Sequence, residues 1–216
     1  MQQFITFEGI EGSGKSTQAA RAAEFLAGHG VQVISTREPG GTGIGDAVRR
    51  ILLDPANAGM APMTELLLVG AARVQHVEEV ILPALAEGKV VLCDRFEDST
   101  RAYQGFGRQI PENLVTLLCS LTAAELKPGL TFLLDLPPEE GLRRAHGRNR
   151  EKESGTVRAE DRIDREEIEF HRRVRDGYLH LARDHPGRFR VVNAQEAPDK
   201  IARRISRDLA LFLKLA

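Results

Sequence analysis

Cysteine is scarce in this 216-residue chain: Cys93 and Cys119 are the only two. They are too few for a disulfide framework and stand at no metal-ligand spacing. Set in the apolar runs VVLCD and LVTLLCSL, they read as buried reduced thiols. An excess of one charge is also missing, because 30 Lys and Arg against 31 Asp and Glu leave a formal charge of −1. The chain therefore carries no overall electrostatic footprint for nucleic acid or an anionic membrane. Uninterrupted apolar runs of about 18 residues are absent. The opening MQQFITFEG has no basic segment followed by a long apolar stretch. A cytoplasmic location is the expectation. His29, His76, His146, His171, His180 and His185 show no paired ligand spacing, and none is expected to be catalytic. With no repeat, low-complexity tract or linker rich in Pro, Gly or Ser, a single unit over residues 1–216 is expected.

What is present is an alternation of short β-rich runs with longer helical patterns. FITFEG precedes a helix over 15–29, VQVIST one over 43–54, VVLCDR one over 98–124, LTFLLDL one over 138–148, and FRVVNA one over 197–215. Strand runs that are apolar without strict alternation are buried on both faces, which predicts an α/β fold: a five-stranded parallel sheet flanked by helices in three layers. Residues 63–87 predict a long helix with no strand of its own, ending at Gly88, placed to wall a cleft. The segment 146–166 is almost wholly polar and reads as a loop, with a helix following from about 161 to 184.

GIEGSGKST, residues 9–17, fits G-x-x-x-x-G-K-[ST] through Gly9, Gly14, Lys15 and Ser16, between a strand and a helix. Gly9, Ile10, Glu11, Gly12, Ser13, Gly14, Lys15, Ser16 and Thr17 are the expected ATP-binding loop. Its backbone N–H groups would face the phosphates, Lys15 would reach the β and γ groups, and Ser16 would ligate Mg²⁺. Asp94, at the end of the third strand, is the expected second Mg²⁺-linked carboxylate, and Arg95 beside it could hold another phosphate. Pro39, Gly40 and Gly41 force an irregular turn before a helix carrying Arg49 and Arg50. Phosphate binding alone leaves a switch, a motor and a phosphotransferase all open. An N-K-x-D-type guanine signature is missing, and acceptor-site arginines would have no purpose in a simple switch.

Taken together, GIEGSGKST, TREPGGT, AARVQH, VVLCDRF, STRAYQG and EDRIDRE resemble bacterial thymidylate kinase over most of the chain, from residue 4 to about 215. The resemblance implies a P-loop kinase fold with a lid at about 146–162, phosphorylation of dTMP by ATP with Mg²⁺, a place in dTTP supply, and a homodimer. By the same resemblance Glu11 accepts a hydrogen bond from the acceptor's 3′-OH, which fits the physics: a carboxylate among phosphates is repelled unless it faces a donor or a cation. Arg49 and Arg95 would grip the acceptor phosphate, with Glu38 and Pro39 shaping the site. Arg73 would read the thymine edge, Thr100 and Gln104 would form its polar rim, and Tyr103 would exclude a ribose 2′-OH. Gly12 stands where another subtype carries a cation, so the transfer-site cation is assigned to the lid, first to Arg148 and Arg162 among Arg148, Arg150, Arg158 and Arg162.

One position departs from the family pattern. Val69 replaces the phenylalanine that usually stacks on thymine, which puts base affinity and the preference for dTMP over dUMP in question and motivates an alternative kinase for another deoxynucleotide or deoxynucleoside. Phe96 and Phe106 are the aromatic candidates to compensate.

Overall fold

The computed structural model describes residues 3–151 and 162–215, without the side chains of residues 148–151. Five strands, β1 (Phe4–Glu8), β2 (Val33–Arg37), β3 (Val90–Asp94), β4 (Leu130–Asp135) and β5 (Phe189–Asn193), form one parallel sheet in the order β2-β3-β1-β4-β5. The register aligns Phe7 with Asp94 and Arg37 with Asp94, so three strands finish at one level. β1, β3 and β4 are almost continuously buried, as parallel strands covered on both faces must be. The five expected strands and the three-layer arrangement are what the chain adopts.

The helices are α1 (Lys15–Gly28), α2 (Gly43–Leu53), α3 (Pro62–His76), α4 (Leu82–Ala86), α5 (Glu97–Thr100), α6 (Glu112–Thr122), α7 (Pro138–Glu151), α8 (Ile168–Asp184) and α9 (Pro198–Leu213). Two apolar clusters hold them to the sheet. Ile5, Phe7, Leu92 and Phe132 meet Leu26, Val174, Tyr178 and Ile205 in one, and Phe4, Val91 and Cys93 meet Val77, Ile81 and Phe96 in the other. Both cysteines are free and buried.

Three helical stretches differ from the periodicity reading. The long helix over 63–87 runs from Pro62 to Ala86 but widens into a π-helical segment at Val77–Ile81, just before Pro83. Proline removes an i→i−4 bond and crowds the preceding turn, and a wider turn absorbs the misfit. The stretch over 98–124 divides: α5 passes into a π-helical segment, Arg101–Gly107, and the chain breaks before Pro111 caps α6. α8 starts at Ile168 rather than near 161. The backbone N–H of Arg162 donates to Leu53 O at 3.0 Å and its Nε to Leu52 O at 2.9 Å. The chain is thus tied to the end of α2 before it can enter a helix.

Candidate nucleotide site

The cleft opens where the strands end, the usual ligand position in an open α/β sheet. It has a volume of about 700 Å³. The loop after β1 turns at Gly12 (φ 71°) and Gly14 (φ 90°), and Gly14 caps α1, whose N-terminus points its free N–H groups into the cleft. A Cβ at Gly12 would lie 2.1 Å from Gly141 O, and one at Gly141 would lie 2.5 Å from Glu11 O. The loop therefore packs backbone to backbone on α7, and no cationic side chain fits at position 12.

Within the loop, Lys15 Nζ donates to Ile10 O at 2.8 Å. Its burial and the nearby Arg95 guanidinium lower its pKa to about 8, against the opposing pull of Asp94, Glu11 and Glu8. Ser16 Oγ donates directly to Asp94 Oδ2. No cluster of three or more His, Cys, Asp or Glu suited to a metal occurs among the described residues. One hydroxyl and one carboxylate meeting beside a phosphate loop are nevertheless a fit for Mg²⁺, which takes few protein oxygens and completes its shell with phosphate and water.

Glu11 does not face the anion cradle. Its Oε1 accepts from Arg95 Nη2 at 2.9 Å and from Tyr103 OH at 2.5 Å. Burial alone would raise its pKa, but Arg95, His171, Lys15 and Tyr103 together hold the carboxyl well below the usual range. Arg95 itself sits at φ 75°, in the left-handed region. Its Nη1 donates to Gly9 O at 3.0 Å and Tyr178 OH at 3.1 Å, and its Cζ lies 4.9 Å from the Tyr103 ring centroid. Beneath it, Glu8 accepts from Phe96 N, Ser99 Oγ and Tyr178 OH at 2.8, 2.6 and 2.9 Å. Burial and the charge of Asp98 push Glu8 up to about 7.

The opposite wall is α3. Arg73 Nε donates to Glu38 Oε2 at 2.8 Å and its Nη2 to Thr100 Oγ1 at 2.8 Å, while Nη1 is buried without a hydrogen-bond partner among the described residues. Glu38 also meets His76 Nδ1 at 3.0 Å, and His76 Nε2 lies 2.6 Å from Thr36 Oγ1. Glu38–Pro39 is a cis peptide, and Pro39 O accepts from Arg49 Nη1 at 2.9 Å. Val69 lines the cleft. So does Phe96, whose ring lies 5.0 Å from Arg73 Cζ, whereas Phe106 packs against His180 away from the cleft. Gln104 Nε2 donates to Glu65 Oε1 at 2.8 Å.

The cleft brings together Glu11, Gly12, Gly14, Lys15, Ser16, Thr17, Glu38, Pro39, Arg49, Val69, Arg73, Asp94, Arg95, Thr100, Tyr103, Gln104 and Arg162. Gly9, Ile10 and Ser13 support it from the loop, the first two by carbonyls that accept from Arg95 and Lys15 and the third by an oxygen 3.4 Å from Lys15 Nζ. Arg162 Nη2 donates to Glu65 Oε2 at 2.5 Å, so this guanidinium is engaged by the chain. The side chains of Arg148 and Arg150, and the whole of Arg158, lie outside what the structure describes. The sequence reading did not single out Glu8, Glu65, Ser99, Tyr178, His76 or His171. For His76 the spacing was informative, since it stands three residues after Arg73 on one helix face. For Glu8, a charged residue ending a buried strand was the available signal.

The family model described as thymidylate kinase matches residues 7–205 of this chain. Curated thymidylate kinases of Trichlorobacter lovleyi and Geobacter sulfurreducens are 53% and 52% identical to it. The first alignment covers 94% of each chain and the second 95% of each. The crystal structure of thymidylate kinase from Ehrlichia chaffeensis matches with a TM-score of 0.74 at 35% identity, over 95% of this chain and 97% of that one.

Proposed function

The chain belongs to the thymidylate kinase family, and from that premise we propose how its residues carry the family's reaction. The enzyme phosphorylates dTMP to dTDP with ATP as co-substrate. A phosphate oxygen of dTMP attacks the γ-phosphorus of ATP, the bond to the β–γ bridging oxygen breaks, and ADP departs with that electron pair. The attacking phosphate is already anionic, so no general base is required. The difficulty is the approach of two polyanions, and cations must offset it. Lys15 holds the β and γ phosphates against the N–H groups of the 9–17 loop. Ser16 and Asp94 would hold Mg²⁺, which would neutralise charge on the phosphates. Arg49 and Arg95 grip the acceptor phosphate. Arg148 and Arg162 are the lid cations assigned to the transferring group, and Arg162 must release Glu65 to serve there.

The reading is carried by one observation: the only carboxylate in the phosphate loop is turned out of the anion cradle and onto Arg95 and Tyr103. That orientation supports Glu11 as the hydrogen-bond acceptor for the acceptor's 3′-OH, beside the donor loop. Arg73 Nη1, buried and without a hydrogen-bond partner among the described residues, supplies a donor for the thymine edge, with Thr100 and Gln104 at its rim and Tyr103 against the sugar. We take residues 1–216 as one functional unit with a lid at about 146–162. The chain acts in the cytoplasm, needs neither membrane nor nucleic acid as a partner, and pairs with a second copy of itself. No helix among the described residues is long and apolar enough to cross a membrane. The pairing is supported by an exposed apolar face, Leu67 and Val74 on α3 with Leu114, Leu117 and Leu121 on α6. A panel of nucleoside monophosphates and nucleosides assayed with ATP and Mg²⁺ tests the assignment: dTMP should give the highest kcat/KM, and a better acceptor would overturn it.

A further inference from the structure

His171 occupies the first turn of α8, is only 1% exposed, and plays no part in the reaction described above. Neither of its ring nitrogens has a hydrogen-bond partner among the described residues. Its Nδ1 lies 3.5 Å from Glu11 Oε2, and that oxygen is likewise buried without a hydrogen bond. The other carboxylate oxygen, Oε1, is fully engaged by Arg95 and Tyr103. Two unsatisfied buried polar groups facing one another are costly, and an apolar side chain could fill the space beside Phe170 without leaving either imidazole nitrogen unpaired. The cost makes sense where the pair closes in the working complex, since hydrogen bonds at active sites are often long before substrate arrives.

We propose that His171 is a positioning residue for the acceptor site: its Nδ1–H donates to Glu11 Oε2 and fixes the carboxylate plane, so that Glu11 is aimed at the 3′-OH of the acceptor sugar. Glu11 Oε2 can only accept, which selects the tautomer with its proton on Nδ1. Without that donor, Oε1 remains tethered but the Oε2 end is free to turn, and the acceptor hydroxyl loses a fixed partner. This inference rests on the reading that Glu11 faces the sugar hydroxyl, and the test separates the two.

The experiment compares dTMP with 3′-deoxy-dTMP as acceptors for the native enzyme, Glu11→Gln, His171→Phe and His171→Asn. The native enzyme should prefer dTMP in kcat/KM, and His171→Phe should shrink that preference at least about fivefold, leaving KM for ATP unchanged. His171→Asn, whose amide N–H can stand in for Nδ1–H, should restore most of it. A folded His171→Phe enzyme with the native preference overturns the proposal. If Glu11→Gln keeps the native preference, the reading of Glu11 fails and takes the proposal with it. Should His171→Phe not fold, ¹⁵N-histidine spectra of the native enzyme decide: an Nδ1–H signal that shifts on adding dTMP but not 3′-deoxy-dTMP supports the role, and an Nε2–H tautomer refutes it.

Discussion

Lys15 shows how one side chain is set by opposing fields. Desolvation and Arg95 bring its pKa to about 8, so the free enzyme begins to lose this charge just above neutrality. A bound triphosphate favours the ammonium and returns the pKa toward its ordinary value. The complex then holds more protons than the free enzyme above pH 8, and linkage requires ATP affinity to fall as pH rises through that value. Calorimetry at pH 8.5 in buffers of different ionisation enthalpy should show proton uptake on ATP binding; zero uptake contradicts the mechanism. Lys15→Ala should keep the fold and lower kcat by on the order of 10²–10³ or more, the scale for removing one preorganised donor. At Val69 the expected effect has the opposite sign. An aromatic stacked on a base is worth about 1–3 kcal/mol, so Val69→Phe should lower KM for dTMP by about tenfold if the wall is open. An unchanged or higher KM would mean that the pocket around position 69 has been rebuilt, since the Phe96 ring is fully buried beneath Arg73. That the loop, Asp94 and Arg95 meet in one cleft was legible because a phosphate loop and strand-end residues follow fixed spacings, whereas Arg73 was reached through the family resemblance alone. Glu8, Ser99 and Tyr178 were not legible, since their meeting depends on strands and helices more than 70 residues apart in sequence packing around a single guanidinium.

Between elements, the joint with the most at stake is Glu65 on α3. Its carboxylate accepts from Gln104, from Arg108 at the end of the Arg101–Gly107 segment, and from Arg162, which also binds carbonyls at the end of α2. Glu65 and Arg162 are both nearly inaccessible, with side-chain exposures of 2% and 3%. Attraction between buried charges offsets their desolvation only while the pairing is complete, and removing one partner costs about 3–5 kcal/mol. Glu65→Gln should therefore destabilise the protein by about 3 kcal/mol in denaturant titrations at pH 7. Burial would raise the Glu65 pKa, but Arg108, Gln104 and Arg162 outweigh it and lower it below the ordinary value. The stabilisation is present above the unfolded-state pKa and is lost as pH falls through the lower folded-state value. The difference between native and variant stability should accordingly shrink under acid; a constant difference would mean that lost packing, not lost charge, is responsible. This joint also explains where periodicity failed. Strand runs and the helices over 15–28, 43–53 and 198–213 follow from local pattern, whereas the late start of α8 is imposed by Arg162 reaching across to α2.

At the scale of the whole molecule, α3 has two faces with different tasks. One presents Val69 and Arg73 to the cleft. The other carries Leu67 and Val74 and packs through Gly70 against Leu118 of α6, where a Cβ would meet Leu118 Cδ2 at 3.0 Å. α6 extends the same surface with Leu114, Leu117 and Leu121, spaced three and four residues apart so that they form one stripe. Among the exposed large apolar residues are Leu117 and Leu121, at 56% and 71% exposure. In a two-fold dimer each such residue is buried twice, once in each copy, at about 1.5–3 kcal/mol per leucine. Substituting one position therefore withdraws about 3 kcal/mol or more from association, which is roughly two decades in Kd. Leu117→Glu combined with Leu121→Glu should convert the protein to monomers in sedimentation experiments at micromolar concentration. Because the proposed dimer face and the proposed base-reading face belong to the same helix, the monomer should also bind dTMP more weakly while ATP binding, assigned to the 9–17 loop, is retained. A monomer with the native KM for dTMP would show that α3 is held in place by α6 and the sheet alone. A sedimentation coefficient unchanged from the native protein would mean that the leucine stripe is not where two copies meet.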